Sequence, residues 1–242
     1  MSKNKVEIIF EDDAIVIVNK PANFLAIPDR YVAEKPNLVS FLKKRYEEIF
    51  VVHRLDKETS GIICYAKNAD SHRHLSKQFE DRTVEKIYKV LVEGKVHEPT
   101  GIIDKPIGRH VSIAGKMRIH NSGKPSVTHY EVEKHISDYT LVQANIKTGR
   151  THQIRVHFAA IGYPLMIDGM YGRQDAFFLS SIKQKKFNIG KDQEERPLMS
   201  RTTLHSWKLT LDHPVTGERL SFMAPLPKDF SAVLKQLEKW AR

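Results

Sequence analysis

The sequence holds a single cysteine, Cys64, so no internal disulfide can form and a reducing compartment is the expected setting. It has no apolar run near the roughly 20 residues that a membrane-spanning helix needs. Ala14–Val18 is typical of its hydrophobic stretches. The opening MSKNKVEIIFEDD lacks the apolar segment of a secretory signal. The expectation is a cytoplasmic protein without a membrane partner. Acidic residues are in short supply as well: 29 Asp and Glu stand against 39 Lys and Arg, a net charge of +10 over 242 residues. Such an excess favours a polyanionic partner, nucleic acid first. At 40% hydrophobic and 28% charged, the composition excludes disorder and a collagen-like repeat.

Whole classes of chemistry are missing too. The glycine-lysine pairs at Gly115, Gly123 and Gly190 lack the upstream glycine and following hydroxyl residue of a phosphate-binding Walker loop. There is no dinucleotide fingerprint, no His-Glu-x-x-His helix and no cysteine cluster, so no metal and no cofactor are expected. His72 with His74 sits on a basic helix, and His152 with His157 is not spaced to converge along one helix.

What is present reads as an alternation of short strands and a few helices. Val6–Phe10 and Ala14–Asn19 are strands around the turn signal Glu11-Asp12-Asp13. In 37–50, Leu38, Phe41, Leu42, Tyr46 and Ile49 share one helical face. Gly61–Ala66 reads as a buried strand, and Asp70 as the cap of a helix running to Arg82. Val84–Val92 is a further strand, and 104–124 a basic loop with Lys105, Arg109, Lys116, Arg118 and Lys124. Strands follow at Val127–Glu133 and Tyr139–Ile146, then a helix over 151–161 stopped by Gly162 and Pro164. Residues 177–201 form a lysine-rich surface excursion that includes Lys183, Lys185 and Lys186. A hairpin turns at His213–Gly217, and a last helix starts at Asp229. Several strands are joined too briefly for helical crossovers. The expected fold is therefore α+β, a mixed, largely antiparallel sheet flanked by helices and loops, in a single domain over 1–242.

The densest cluster of polar residues is His53-Arg54-Leu55-Asp56 followed by Thr59-Ser60-Gly61. A carboxylate near a cation stays ionised and suits a nucleophile or base. Spacing alone favours a turn aspartate bonded to its own backbone near Thr59.

Taken with other motifs in order, this stretch resembles the signature of the RluA family of RNA pseudouridine synthases. Asn19-Lys20-Pro21 is similar to the family's opening motif, and Lys86-Ile87-Tyr88-Lys89-Val90 to the strand bearing its active-site tyrosine. Thr148 to His157, TGRTHQIRVH, resembles its second long signature, with Gly162, Pro164, Asp168, Tyr171 and Gly172 in place after it. Leu204-His205 and the His213-Pro214 hairpin match as well, so the likeness runs from about Val6 to Phe230. Ile167, where a glycine is usual, and Tyr163, in place of a frequent histidine, depart from the pattern.

The resemblance implies an isomerase that detaches uracil from ribose at N1, turns it and rejoins it through C5, with no cofactor and no metal. It implies that Asp56 is the catalytic aspartate, that Tyr88 stacks on the target base and assists proton removal, and that Arg155 pairs with Asp56. Arg54 would help displace the base from its stack. His53, Arg150, His152 and Gln153 would shape the pocket or the RNA contact. Whether Asp56 attacks the sugar, adds to the base or removes a sugar proton stays open. The partner would be ribosomal or transfer RNA, the protein a monomer, and no separate N-terminal RNA-binding module is expected. The rivals are a binding protein on this scaffold and an RNA glycosidase that releases free uracil.

Overall fold

The computed structural model describes residues 6–29, 31, 32, 34–183 and 194–241. The chain forms two units, Met1–Tyr88 with His205–Pro225, and Lys89–Leu204 with Leu226–Arg242. The first unit begins with β1 (Glu7–Glu11), β2 (Ile15–Lys20), α1 (Leu38–Leu42), β3 (Phe50–Val51), β4 (Ser60–Ala66) and α2 (Ala69–Glu80). β5 (Glu85–Glu93) carries the chain into the second unit, which holds β6 (Thr100–Asp104), β7 (Ile107–Arg109), β8 (Met117–Ile119), β9 (Val127–Ile136), β10 (Tyr139–Ile146), α3 (Gln153–Ala160) and α4 (Ser180–Lys183). β11 (Leu204–Asp212) and β12 (Arg219–Met223) return to the first, and α5 (Lys228–Trp240) ends in the second.

The first unit is built on β2 and β4, whose residues are almost all buried. Apolar residues fill both faces, which is why they read as unbroken hydrophobic runs rather than as alternations. β2 pairs antiparallel with β1 on one side and β4 on the other. The β1–β2 turn is tied by Asp12, whose Oδ1 accepts from the N–H groups of Ala14 and Ile15, each at 2.8 Å. β11 joins β4 in parallel, His205 opposite Ser60 and Ser206 opposite Gly61, and β12 follows β11 antiparallel. The sheet is thus mixed and largely antiparallel. α2 lays Leu75 and Phe79 on its core beside Ile17, Ile62 and Leu209. Its cap is Asn68, two residues before the expected Asp70, with Oδ1 accepting from Ser71 N–H at 2.8 Å.

In the second unit β6, β9 and β10 form an antiparallel meander, and β7 and β8 a separate two-stranded ladder. α5 buries Phe230, Val233 and Leu237 against Leu91, Leu141, Met166 and Phe177. Arg201, 4% exposed, donates to both oxygens of Asp229 at 2.7 and 2.8 Å and fixes the start of α5.

Three expected elements differ. The helix over 37–50 stops at Leu42, because Arg45 and Tyr46 turn to Glu11 and Phe50–Val51 is drawn onto β4 as a strand. The loop 104–124 contains the β7–β8 hairpin. The excursion over 177–201 is anchored by main-chain bonds between Phe177 and both Met199 and Leu198, while Lys185 and Lys186 lie outside the described residues. Among the described residues, no helix is long and apolar enough to cross a membrane.

Candidate active site

Asp56 stands in the loop between β3 and β4, and the residues flanking it in sequence are anchored within the first unit. Leu55 is 6% exposed. Lys57 offers its carbonyl to the ammonium of Lys20, and Thr59 N–H donates to the main-chain carbonyl of Asp56 at 3.2 Å. The turn is therefore closed through the main chain of Asp56. His53 stacks on Phe79, centroids 4.6 Å apart, and its Nε2 accepts from Cys64 N–H at 3.0 Å. Burial, helped by the Lys86 cation, pushes the His53 imidazole down to about 3, so the ring is neutral at physiological pH. Arg54 and Lys57 are the exposed residues between His53 and Gly61.

Lys20 is the residue sequence reasoning passed over. It is 0% exposed, at the end of the buried strand β2, and its Nζ donates to the carbonyls of Pro21 (3.0 Å), Phe24 (2.8 Å) and Lys57 (2.9 Å). A lysine directly after an unbroken apolar run was the available signal, since such a cation is buried only with dedicated acceptors. It ties the loop after β2 to the residue after Asp56.

The floor beneath is made by β4 and β11. Ser60 Oγ and His205 Nδ1 are 2.9 Å apart, His205 Nε2 lies 3.2 Å from the Ala224 carbonyl, and Ser206 Oγ donates to the Ile62 carbonyl at 3.1 Å. Tyr88, 6% exposed, belongs to the same unit, and Ser206 of this floor acts on its phenol. Burial raises its phenol well above the usual tyrosine value; Ser206 works in the opposite direction, and the charge of Asp56 adds to the rise. Tyr88 therefore stays protonated and feels the Asp56 carboxylate. The two strands approach closely enough that Gly61, at φ +111°, has no room for a side chain: a Cβ there would lie 2.0 Å from the Ser206 carbonyl oxygen.

The remaining candidates lie in the second unit, where the TGRTHQIRVH stretch bends into α3. Gln153 is 3% exposed; its Oε1 accepts from Thr148 Oγ1 (2.7 Å) and Arg150 N–H (3.0 Å), and its Nε2 donates to Val127 O (3.0 Å) and Thr128 Oγ1 (2.9 Å). Both amide hydrogens and the oxygen are thus used inside the fold, clasping the bend to β9. His157 extends the clasp, contacting Thr128 Oγ1 at 3.0 Å and the Lys105 carbonyl at 2.9 Å; burial holds its imidazole below the ordinary value. Arg150 is half-buried, with Nε 3.3 Å from the Pro125 carbonyl.

Arg155, 5% exposed, donates from Nε and Nη2 to the two oxygens of Asp168, both at 2.7 Å, a bidentate pair. Asp168 Oδ1 also accepts from the N–H groups of Met170 and Tyr171 at 2.9 and 3.0 Å. Burial alone would raise the Asp168 carboxyl, but these bonds and the Arg155 charge hold it below the ordinary value. His152 begins α3 in the left-handed region, φ 55°. No group of three or more candidate metal ligands exists among the described residues.

Residues 14–160 match the model of the family described as RNA pseudouridylate synthase. The chain is 36% identical over 239 residues to a "Ribosomal large subunit pseudouridine synthase D" of Nitrosomonas europaea, covering 96% of this chain and 65% of the relative. It is 36% identical over 241 residues to a protein of that name from Pseudomonas aeruginosa, covering 97% and 72%. The chain thus spans about two thirds of the length of these relatives. Among solved structures, "Human RNA Pseudouridylate Synthase Domain Containing 1" superposes with a TM-score of 0.69 at 25% identity, over 97% of this chain and 95% of that one. Sequence and fold agree: the chain belongs to the RNA pseudouridylate synthase family, isomerases that convert uridine to pseudouridine within RNA.

Proposed function

We propose that Asp56 is the catalytic carboxylate of this isomerase, with Tyr88 and Arg155 completing the catalytic set and a uridine of large-subunit ribosomal RNA as target. The observation that carries the reading is the anchoring of the Asp56 loop by Lys20, Leu55 and Thr59 beside a buried phenol that feels its charge. In the reaction the N1–C1′ bond of uridine breaks, the uracil turns, and a C5–C1′ bond forms; C5 loses its proton and N1 gains one, so the product is an isomer. A carboxylate held in place assists glycosidic cleavage as nucleophile or by stabilising charge. Tyr88, protonated, offers a ring to the freed base and a hydroxyl as hydrogen-bond donor, rather than acting as a base. Exposed Arg54 and half-buried Arg150 contact RNA and assist displacement of the base. His53 and Gln153 position the two motifs from within. The target RNA is supported by the names of the relatives. The protein works as a cytoplasmic monomer without added cofactor, residues 1–242 serving as one catalytic domain.

The test uses unmodified large-subunit ribosomal, small-subunit ribosomal and transfer RNA transcripts, with wild type and Asp56→Ala. Pseudouridine is mapped by carbodiimide modification and primer extension. The expected result is a stop in the large-subunit transcript with wild type alone, and no free uracil by chromatography. Pseudouridine formed by Asp56→Ala would overturn the catalytic assignment, and a stop confined to transfer RNA would overturn the target.

A further inference from the structure

Tyr171 lies outside the assigned set, yet it joins three features of the second unit. Its main-chain N–H is held by Asp168, the partner of Arg155. Its ring stands under two cations, the Arg155 guanidinium at 5.0 Å from the ring centroid and the Lys116 ammonium at 5.4 Å. Its hydroxyl accepts from the N–H of Met117, the first residue of β8, at 2.8 Å, and lies 2.8 Å from His152 Nδ1. The two aromatic rings meet edge to face, centroids 5.5 Å apart.

The turn that presents Tyr171 is tightly determined. Asp168 bonds Met170 N–H and Tyr171 N–H, and Gly172 N–H returns to the Asp168 carbonyl at 2.9 Å. A Cβ on Gly172 would lie 2.9 Å from that same carbonyl oxygen, so the turn closes only around a glycine. At the other end, His152 holds a left-handed conformation that a non-glycine residue keeps only when its surroundings impose it. No side-chain bond of His152 caps α3. The Tyr171 hydroxyl supplies a constraint on that ring.

We propose that Tyr171 is a positioning residue for the isomerisation, its hydroxyl locking the β7–β8 hairpin and the His152 ring to the turn that holds Arg155. The inference rests on the reading of Arg155 as part of the catalytic set. The hairpin carries Arg109, Lys116 and Arg118, cations suited to RNA phosphates. In this arrangement Met117 N–H fills one acceptor site on the Tyr171 oxygen, and the hydroxyl donates its own proton to Nδ1 of His152. With the proton so placed, the imidazole carries its hydrogen on Nε2. His152 then presents a donor, not an acceptor, to whatever lies beyond it. The cations of the hairpin, the donor of His152 and the Arg155–Asp168 pair are thereby held in one frame.

The experiment compares wild type, Tyr171→Phe, His152→Ala and the double variant. Tyr171→Phe keeps the ring under Arg155 and Lys116 and removes only the hydroxyl. The first readout is the nitrogen-15 shift pair of the His152 ring, recorded without RNA and assigned by its loss in His152→Ala. Wild type is expected to show hydrogen on Nε2 alone, and Tyr171→Phe a mixture of tautomers. The second is the single-turnover rate of pseudouridine formation at saturating RNA. It should fall about tenfold in Tyr171→Phe, with the melting temperature nearly unchanged, as expected when a fixed group loses its orientation. In the His152→Ala background the same substitution should cost less than about twofold, because the two residues act as one unit. A wild-type rate and a wild-type tautomer in Tyr171→Phe would overturn the proposal, as would effects that multiply in the double variant. Wild type that isomerised no uridine would count against the catalytic reading instead, and the tautomer measurement, needing no RNA, would still decide the role of the hydroxyl.

Discussion

Replacing Lys20 by methionine keeps the length of the side chain and removes its ammonium, which isolates the contribution of one buried cation. Three carbonyl oxygens, of Pro21, Phe24 and Lys57, then lose a donor that now stands 2.8–3.0 Å away. Each buried acceptor left unsatisfied costs about 1–3 kcal/mol, and the gain from no longer burying a charge offsets part of the sum. The net expectation is a loss of about 3–5 kcal/mol. With a urea slope of about 3 kcal/mol/M for a chain of this size, the unfolding midpoint should fall by about 1–1.7 M. The functional loss should exceed what stability explains, because the Lys57 carbonyl follows Asp56 directly. Single-turnover isomerisation in buffer without urea, where the variant is still folded, should drop about a hundredfold, since a misplacement near 1 Å costs about that much. Circular dichroism in urea and a single-turnover assay on the same preparations decide it. A midpoint within about 0.3 M of wild type would refute the claim that the carbonyls depend on Lys20. A lowered midpoint with a wild-type rate would refute the claim that Lys20 places the Asp56 loop.

Other expectations follow from the same geometry. Gly61→Ala puts a Cβ 2.0 Å from the Ser206 carbonyl oxygen at φ +111°, so it should cost about 3 kcal/mol or more; a variant melting with wild type would refute the close approach of β4 and β11. The His53 ring, held near 3, should show flat proton chemical shifts between about pH 5 and pH 8, and an inflection near the ordinary histidine value would refute its burial as a neutral acceptor. Asp168, whose folded-state pKa lies below the ordinary 3.8, contributes stability that is fully present above that value and lost as pH falls through the folded-state pKa. The stability gap between wild type and Asp168→Asn should therefore narrow below about pH 4, and a gap constant down to about pH 2.5 would refute the linkage.

The sequence revealed the strands of the first unit because their apolar runs are unbroken, and local periodicity or its absence reports burial directly. It misread 43–50 as helix because the face of Leu38, Phe41, Leu42, Tyr46 and Ile49 continues in register past the point where the chain turns. What ends that helix is distant in sequence: Glu11 claims Tyr46 and Arg45, and β4 claims Phe50. The same distinction governs the site. The motif residues could be found by their order along the chain, but whether each faces substrate or holds the frame is set by partners far away. Gln153 is occupied by β9, 26 residues upstream, His53 by Cys64, and Lys20 by a carbonyl 37 residues on. A polar residue inside a signature thus has two fates with identical local sequence, and the count of its satisfied donors and acceptors tells them apart. By that count Gln153 belongs to the scaffold, and Lys20, embedded in an apolar strand, belongs to it as well, tying the loop after β2 to the residue after Asp56.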